Sequence, residues 1–434
     1  MLHWQLTIRL HPYTPPRMDN MTALFILLAL LALWKLDFIA SILNLKALDP
    51  QLPNEFKGVY DEEKYAKSQE YTRVSERFGI ITATYSLTVL LIFWFIGGFG
   101  MLDDWLRNFE WSNVVTGIVF ISAIFLGNSL INLPFQIYDT FVIEERFGFN
   151  KTTPKTFVID QIKGLLLGAI LGIPLLALVL WIFGAVDNAW LWAWLVFTAF
   201  QLLMTYLAPS LILPLFNKFE PMEDGELKSR IQDMAKQCEF PLTEIHVMDG
   251  SKRSTKSNAF FTGFGKRKKI ALFDTLIENH NTEELLGVLA HEIGHFKKKH
   301  IIQRMVFSFV QTAAIFFLLG VVTSESSDFA RSLFNAFGVE QISTYAGLVF
   351  FTLLFSPVSR ILSVIGNISS RKHEFEADAY AAKAQGTGEH LINALKKLAA
   401  DNLSNLTPHP FPVFLDYSHP PMLVRIKALK ELEK

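Results

Sequence analysis

The residues His291-Glu292-Ile293-Gly294-His295 form an H-E-x-x-H pentapeptide. On a helix, His291 and His295 stand at i and i+4, so both imidazoles point to one spot. Two neutral imidazoles suit Zn2+, which takes nitrogen ligands in tetrahedral geometry. Glu292 lies beside them, turned towards the water such an ion would acidify, and its carboxylate can take the proton. The flanking sequence favours a helix. Asn281 can cap it with Glu284 as the reciprocal partner, and Leu285, Leu289 and Ile293 recur every four residues on one face. Gly294 costs such a helix about 1 kcal/mol against Ala, and its missing side chain lets another segment approach the metal closely. The bland alternative is a chance match at a helix end, where histidines cap carbonyls. The helical context weighs against it.

A catalytic zinc site needs a third protein ligand and an open position. The best supply is Arg371-Lys372-His373-Glu374-Phe375-Glu376-Ala377-Asp378. Its pattern is helical, so Glu374 and Asp378, four apart, share a face. One could bind zinc while the other orients a ligand histidine. Glu376 and His373 are rivals, and spacing alone does not choose among them. Read blandly, the stretch is a solvated acidic helix start, well placed for the macrodipole.

Composition says where the elements that carry these residues sit. Of 434 residues, 51% are apolar and only 19% charged, with 39 Phe and nine Trp; soluble chains run nearer a quarter charged. Seven stretches approach the ~20 apolar residues that a membrane-spanning helix needs: 21–45, 79–100, 114–135, 164–186, 189–213, 303–323 and 345–365. Lys35 and Asp37 interrupt the first within one turn, where they could pair or sit near a membrane boundary. Pro174 lies inside the fourth, where a neighbouring helix must satisfy the freed carbonyl. The first 20 residues, broken by Pro12, Pro15 and Pro16, are no clean signal peptide, and Met18 or Met21 could replace Met1 as the start. Lys and Arg are asymmetric across seven spans. The segment after the first span alone holds Lys46, Lys57, Lys64, Lys67, Arg73 and Arg77, whereas the N-terminal side holds Arg9, Arg17, Arg107 and Arg331. This places the N-terminus outside and the C-terminus in the cytoplasm. Forty Lys+Arg against 41 Asp+Glu give no reason to expect nucleic-acid binding. A single cysteine, Cys238, excludes an internal disulfide, a Cys-based zinc knuckle and an Fe–S cluster. Between spans five and six lies a soluble-looking insert: an amphipathic helix over 226–239, a strand over 243–248, and a hairpin of 259–262 and 269–273 around a turn at 263–266.

Three further segments resemble signatures of a known family. They are Leu133-Pro134 with 138–144 and 147–150; Ala208-Pro209 through 214–219; and 249–253 with 257–263. In this order around the zinc motif, the chain resembles the CAAX prenyl protease 1 family, type I membrane zinc endopeptidases of the HExxH class. The resemblance implies that Glu374 is the third ligand, as the Glu of an E-x-x-x-D motif, with Asp378 as its partner and a proton donor. It also implies that Asn258, Ala259 and Phe260 form an edge strand on which an extended substrate is laid. His419, followed by Pro420, is similar to the late H-P element whose histidine polarises the scissile carbonyl or holds an oxyanion. Arg425 is a more distant supporting candidate. The chain departs from the family in having Lys256 and Phe260 where histidine and tyrosine are frequent.

The expected architecture is an all-α polytopic membrane protein of seven transmembrane helices with a zincin-like α+β metalloprotease domain carrying a small β-sheet. Its parts are a membrane region 1–215 with spans one to five, a cytoplasmic insert 216–302, spans six and seven over 303–368, and a cytoplasmic part 369–434 supplying the third ligand. The expected activity is that of an endopeptidase with one Zn2+ per chain held by His291, His295 and Glu374. Glu292, Asp378 and His419 are its catalytic candidates, and Asn258, Ala259 and Phe260 its substrate strand. By resemblance, the substrate is the C-terminal tripeptide of a prenylated CAAX-type protein or peptide, and the seven helices enclose a large chamber. The partners are the lipid bilayer and that substrate, with no nucleic acid and no obligate protein partner evident. Both a bacterial inner membrane and an endoplasmic reticulum membrane fit. One rival is a membrane quality-control metalloprotease with unprenylated substrates. The other is a transporter or channel with a structural zinc site, which would leave Glu292 without a role.

Overall fold

In the computed structural model of the chain, residues 20–262, 268–324 and 326–433 are described. The N-terminal segment with Met18 and the expected turn at 263–266 lie outside them. Helices α1 (Met21–Lys46), α2 (Glu62–Phe95), α3 (Gly98–Arg107), α4 (Asn113–Tyr138), α5 (Pro154–Ala185), α6 (Ala189–Leu207) and α7 (Leu213–Phe216) come first. A π-helical turn, Asp139–Glu144, extends α4, and another, Ala208–Ile212, joins α6 to α7. Then follow β1 (Phe219–Pro221), α8 (Glu226–Gln237), β2 (Leu242–Met248), β3 (Ala259–Thr262), β4 (Lys268–Phe273), α9 (Asp274–Asn279) and α10 (Thr282–Lys297). The chain closes with α11 (His300–Val322), α12 (Asp328–Ala336), α13 (Thr344–Gln385), α14 (Glu389–Asp401), α15 (Pro410–Asp416) and α16 (Met422–Glu431).

Seven helical segments among the described residues are long and apolar enough to cross a membrane, one for each expected stretch; the second stretch, 79–100, runs past the end of α2 at Phe95 into α3. Two are far longer than a bilayer requires. At 1.5 Å per residue, the 34 residues of α2 and the 42 of α13 reach about 51 and 63 Å, against a hydrocarbon core of ~30 Å. The basic residues Lys64, Lys67, Arg73 and Arg77 therefore belong to the projecting half of α2 and not to a loop. The projecting half of α13 carries Arg371 to Asp378. The expected boundary between 368 and 369 falls inside this one unbroken helix: the sequence turns polar there, but the hydrogen-bond ladder does not stop. Asp37 pairs not with Lys35 but with Arg360 of α13 at 2.7 Å; Arg360 also holds Asp416 at 2.6 Å.

Two apolar clusters hold the ends of the molecule. At one end Trp94, Phe337 and Phe350 stack with centroids 4.8 and 4.1 Å apart, and the Trp94 Nε1–H donates to Ala336 O at 2.7 Å. At the other, Leu285, Leu289 and Ile293 of α10 pack with Ile231 and Met234 of α8, Ile245 of β2, Ile270 of β4 and Leu391 of α14. The expected face of α10 is thus its core face. The sheet has the order β1-β2-β4-β3, with β2 and β4 parallel and the outer pairs antiparallel. This leaves β3 at one edge. β1 at the other edge gives no sequence signal: it has three residues and ends in Pro221.

Candidate metal centre

α10 begins with the capping box foreseen in the sequence. Asn281 Oδ1 accepts from Glu284 N at 3.0 Å, and Glu284 Oε2 accepts from Asn281 N at 2.9 Å. Two and a half turns later the helix presents His291 and His295 side by side, their Nε2 atoms 3.1 Å apart. α13 crosses α10 at Gly294, where a Cβ would lie 3.0 Å from Ala377 Cα and 3.1 Å from Ala377 O. The close approach anticipated for that glycine is therefore made by the helix that carries Glu374. Its Oε2 lies 3.4 Å from His291 Nε2 and its Oε1 3.3 Å from His295 Nε2.

These three side chains offer ligand atoms all within 4.8 Å of one another. Tetrahedral zinc with bonds of about 2.0–2.1 Å has ligand–ligand edges of about 3.3–3.4 Å, close to the separations found. Glu374 is only 2% exposed, and its Oε2 has no hydrogen-bond partner among the described residues. Its nearest polar neighbours, His291 Nε2 and Arg425 Nη1, stay at 3.4 Å, and a buried carboxylate oxygen held only by such long contacts is well suited to meet a metal cation. Charge points the same way: three carboxylates, Glu292, Glu374 and Asp378, face one guanidinium, Arg425. The donor set fits a divalent zinc ion.

Around these three, other side chains fix orientation. Asp378, 2% exposed, accepts from His291 Nδ1 at 2.8 Å and is gripped by Arg425 through Nε at 2.9 Å and Nη2 at 2.6 Å. With its Nδ1–H engaged, His291 turns the Nε2 lone pair inward. Burial disfavours a charge on His291, but hydrogen bonds to Asp378 and Glu374 outweigh it and raise the imidazole to about 9. The pocket thus favours positive charge. Burial pushes the Glu292 carboxyl above its ordinary range, against the pull of His291 and His295, which suits a general base. Arg425 Nη1 also reaches Glu374 Oε2 at 3.4 Å, so this residue is far more central than its distance in sequence suggested. His419 is exposed, with Nε2 3.5 Å from Glu374 Oε1 and Nδ1 3.0 Å from Ser418 Oγ. Glu376 and His373, the rival ligands, point elsewhere: Glu376 bonds His300, and His373 bonds Gln303.

Ala259 and Phe260 lie in β3 with one side paired to β4, and Asn258 precedes them, its carbonyl accepting from Phe273 N at 3.2 Å. The other side of β3 is open among the described residues. Lys256, the departure from the family pattern, bridges the insert to the membrane helices: its Nζ lies 2.9 Å from both Tyr71 Oη and Glu144 Oε2, and 4.3 Å from the Phe149 ring centre. Nearby, Arg253 is bidentate to Asp160 of α5 at 2.8 and 2.9 Å. Glu144, Phe149, Arg253 and Lys256 fall in or between the family-like segments, which thus join the insert to the membrane part.

Comparison with known proteins agrees. Residues 41–218 match a family described as CAAX prenyl protease N-terminal, five membrane helices, and residues 221–433 match peptidase family M48. The chain is 36% identical over 412 residues to the CAAX prenyl protease 1 of Saccharomyces cerevisiae, covering 88% of this chain and 89% of that protein. It is 33% identical over 437 residues to the human CAAX prenyl protease 1 homolog, covering 88% and 89%. The crystal structure of S. mikatae Ste24p superposes with a TM-score of 0.86 at 35% identity, covering 96% of this chain and 100% of that one.

Proposed function

The chain belongs to the CAAX prenyl protease 1 family of M48 metallopeptidases, and from that premise we propose that it is a membrane zinc endopeptidase that removes the C-terminal tripeptide of prenylated CAAX-type proteins or peptides. The observation that carries this reading is the meeting of His291, His295 and Glu374 from two helices, at spacings that suit tetrahedral zinc, beside a half-buried Glu292. In this reading one Zn2+ is held by those three residues and supplies Lewis acidity when bound.

Each neighbouring side chain then has a task. An extended substrate pairs its backbone with the open side of β3 along Asn258, Ala259 and Phe260. Glu292 takes a proton from the attacking water as its oxygen bonds the scissile carbonyl carbon. It delivers that proton to the amine as the C–N bond breaks. His419, exposed next to Glu374, is placed to donate to the developing oxyanion. The Asp378 oxygens already accept from Arg425 and His291, so we assign Asp378 to orienting His291 and not to donating a proton. The insert, residues 216–302, and the segment from 369 onward meet in one site, so they share one side of the membrane. The Lys/Arg asymmetry supports the cytoplasmic side.

The test is metal analysis of the purified protein, together with peptidase assays on a farnesylated CAAX peptide and its unprenylated twin. Zinc near one per chain and preferential cleavage of the farnesylated peptide are expected. Equal cleavage of both peptides would remove the prenyl requirement, and zinc binding without any hydrolysis would sink the protease reading.

A further inference from the structure

Both nitrogens of His295 are engaged, and only one of them is turned towards the metal ligands. Its Nε2 faces His291 and Glu374; its Nδ1 lies 2.9 Å from Nδ1 of His300, the first residue of α11. His300 is 1% exposed, and its Nε2 lies 3.0 Å from Glu376 Oε2. The proton count along this chain has one solution that leaves a lone pair for a metal. His295 Nε2 must be bare, so its Nδ1 carries the hydrogen and donates to His300 Nδ1. That nitrogen must then be bare, so His300 carries its hydrogen on Nε2 and donates it to the Glu376 carboxylate. Lys372, with Nζ 3.7 Å from Glu376 Oε1, favours the ionised form that such an acceptor requires.

Packing holds the middle ring in place. His373 stacks on His300 with centroids 3.9 Å apart and planes 11° from parallel, and His373 Nε2 is tied to Gln303 Oε1 at 3.1 Å. The turn that folds His300 back beneath His295 passes through Lys299 in the left-handed region, φ 59°. His300 is no metal ligand itself, since both its ring nitrogens already have partners.

We propose that His300 and Glu376 are positioning residues that fix the tautomer and ring orientation of His295, as Asp378 does directly for His291. This rests on the reading that His291, His295 and Glu374 hold the metal. It gives Glu376, two residues from Glu374, a task on the opposite side of the same helix.

The test uses the full-length protein in detergent, with zinc affinity from chelator competition and the d–d absorption of the Co2+-loaded protein as readouts. His300→Leu cannot accept from His295 and should weaken zinc binding about 10–100-fold, the usual cost of losing a partner of a ligand histidine, and shift the cobalt spectrum. Glu376→Ala should do the same more weakly. His300→Gln can accept through its amide oxygen and donate through its nitrogen, so affinity should return to within about threefold of the parent. Thermal melting identifies any variant that does not fold. Parental affinity in a folded His300→Leu, or equal losses in His300→Leu and His300→Gln, would overturn the relay. His295→Ala separates the two levels: if it too keeps zinc, the metal-site reading itself fails.

Discussion

Gly294→Ala tests whether the helix crossing sets the metal geometry. Its added Cβ would lie 3.0 Å from Ala377 Cα, 3.1 Å from Ala377 O and 3.1 Å from Tyr380 Cβ. Comfortable carbon contacts begin near 3.5 Å, so α13 must retreat by about 0.5 Å, and the obstacle is backbone that no rotamer change can move. Metal sites tolerate only about 0.2 Å of error in ligand distance. Ala377 lies between Glu374 and Asp378, so a retreat of this size carries the third ligand out of range. The stability ledger nearly cancels: Ala gains about 1 kcal/mol in helix propensity against an overpacking cost of about 1–3 kcal/mol. The variant should therefore melt within a few degrees of the parent, yet bind zinc at least tenfold more weakly and hydrolyse peptide about 100-fold more slowly, the scale associated with small misplacements. Gly287→Ala is the matched control. It lies on the same face of α10 seven residues earlier, and its Cβ would meet Leu391 N at 3.0 Å and Leu391 Cα at 3.1 Å, against α14 and away from the metal. It should cost similar stability and leave zinc affinity intact. If Gly294→Ala binds zinc like the parent, or if both variants lose zinc equally, the crossing at Gly294 does not set the ligand geometry.

Glu292→Gln should keep its zinc and lose hydrolysis by at least the 10²–10⁴-fold typical of removing a general base; wild-type turnover would refute the assignment. Glu374→Ala should bring zinc content close to zero by elemental analysis, while Glu376→Ala should still fill at saturating zinc; equal content in the two would mean that the wrong carboxylate was chosen. Asn281→Ala removes one half of the capping box and should lower stability by about 1 kcal/mol, read from denaturation in detergent, with no change in zinc stoichiometry. For topology, Cys238 is first replaced by Ala. Cysteine placed at exposed Ser326, between spans six and seven, should react with an impermeant thiol reagent from outside, and cysteine at exposed Glu431 only after the membrane is opened; reversed labelling would put the site outside and exclude a cytoplasmic substrate.

The parts legible in the sequence share a local cause. Apolar run length exposes the seven spans, because lipid imposes it on each helix separately. The capping box and the i, i+4 histidines are fixed by helix geometry within a few residues. What was not legible depends on contacts between distant segments. Arg425 lies 47 residues from Asp378 and 134 from His291, and nothing in their spacing couples them. His300 follows His295 by five residues, an interval that shares no face on a continuous helix. It meets His295 only because Lys299 breaks the helix in the left-handed region. The unbroken course of α13 was hidden because a change from apolar to charged residues reads as a boundary, although it marks only the point where the helix leaves lipid.

That continuity bears on how the site is built. Residues two apart on a helix lie on nearly opposite sides, while residues four apart share one. Glu374 and Asp378 accordingly face α10, one at the proposed metal position and one at His291 and Arg425, whereas Glu376 turns to His300 at the start of α11. Three carboxylates within five residues thus serve three different sites, and all three depend on where α13 stands relative to α10 and α11. Both α11 and α13 run directly into the membrane. The insert from 216 to 302 has the pentapeptide and the proposed substrate strand, yet it lacks Glu374, Asp378 and Arg425 and has only the first turn of α11. Without the spans, His291 and His295 would keep their helix and lose the groups that aim them. The membrane helices are therefore the scaffold of the proposed metal centre as well as its anchor.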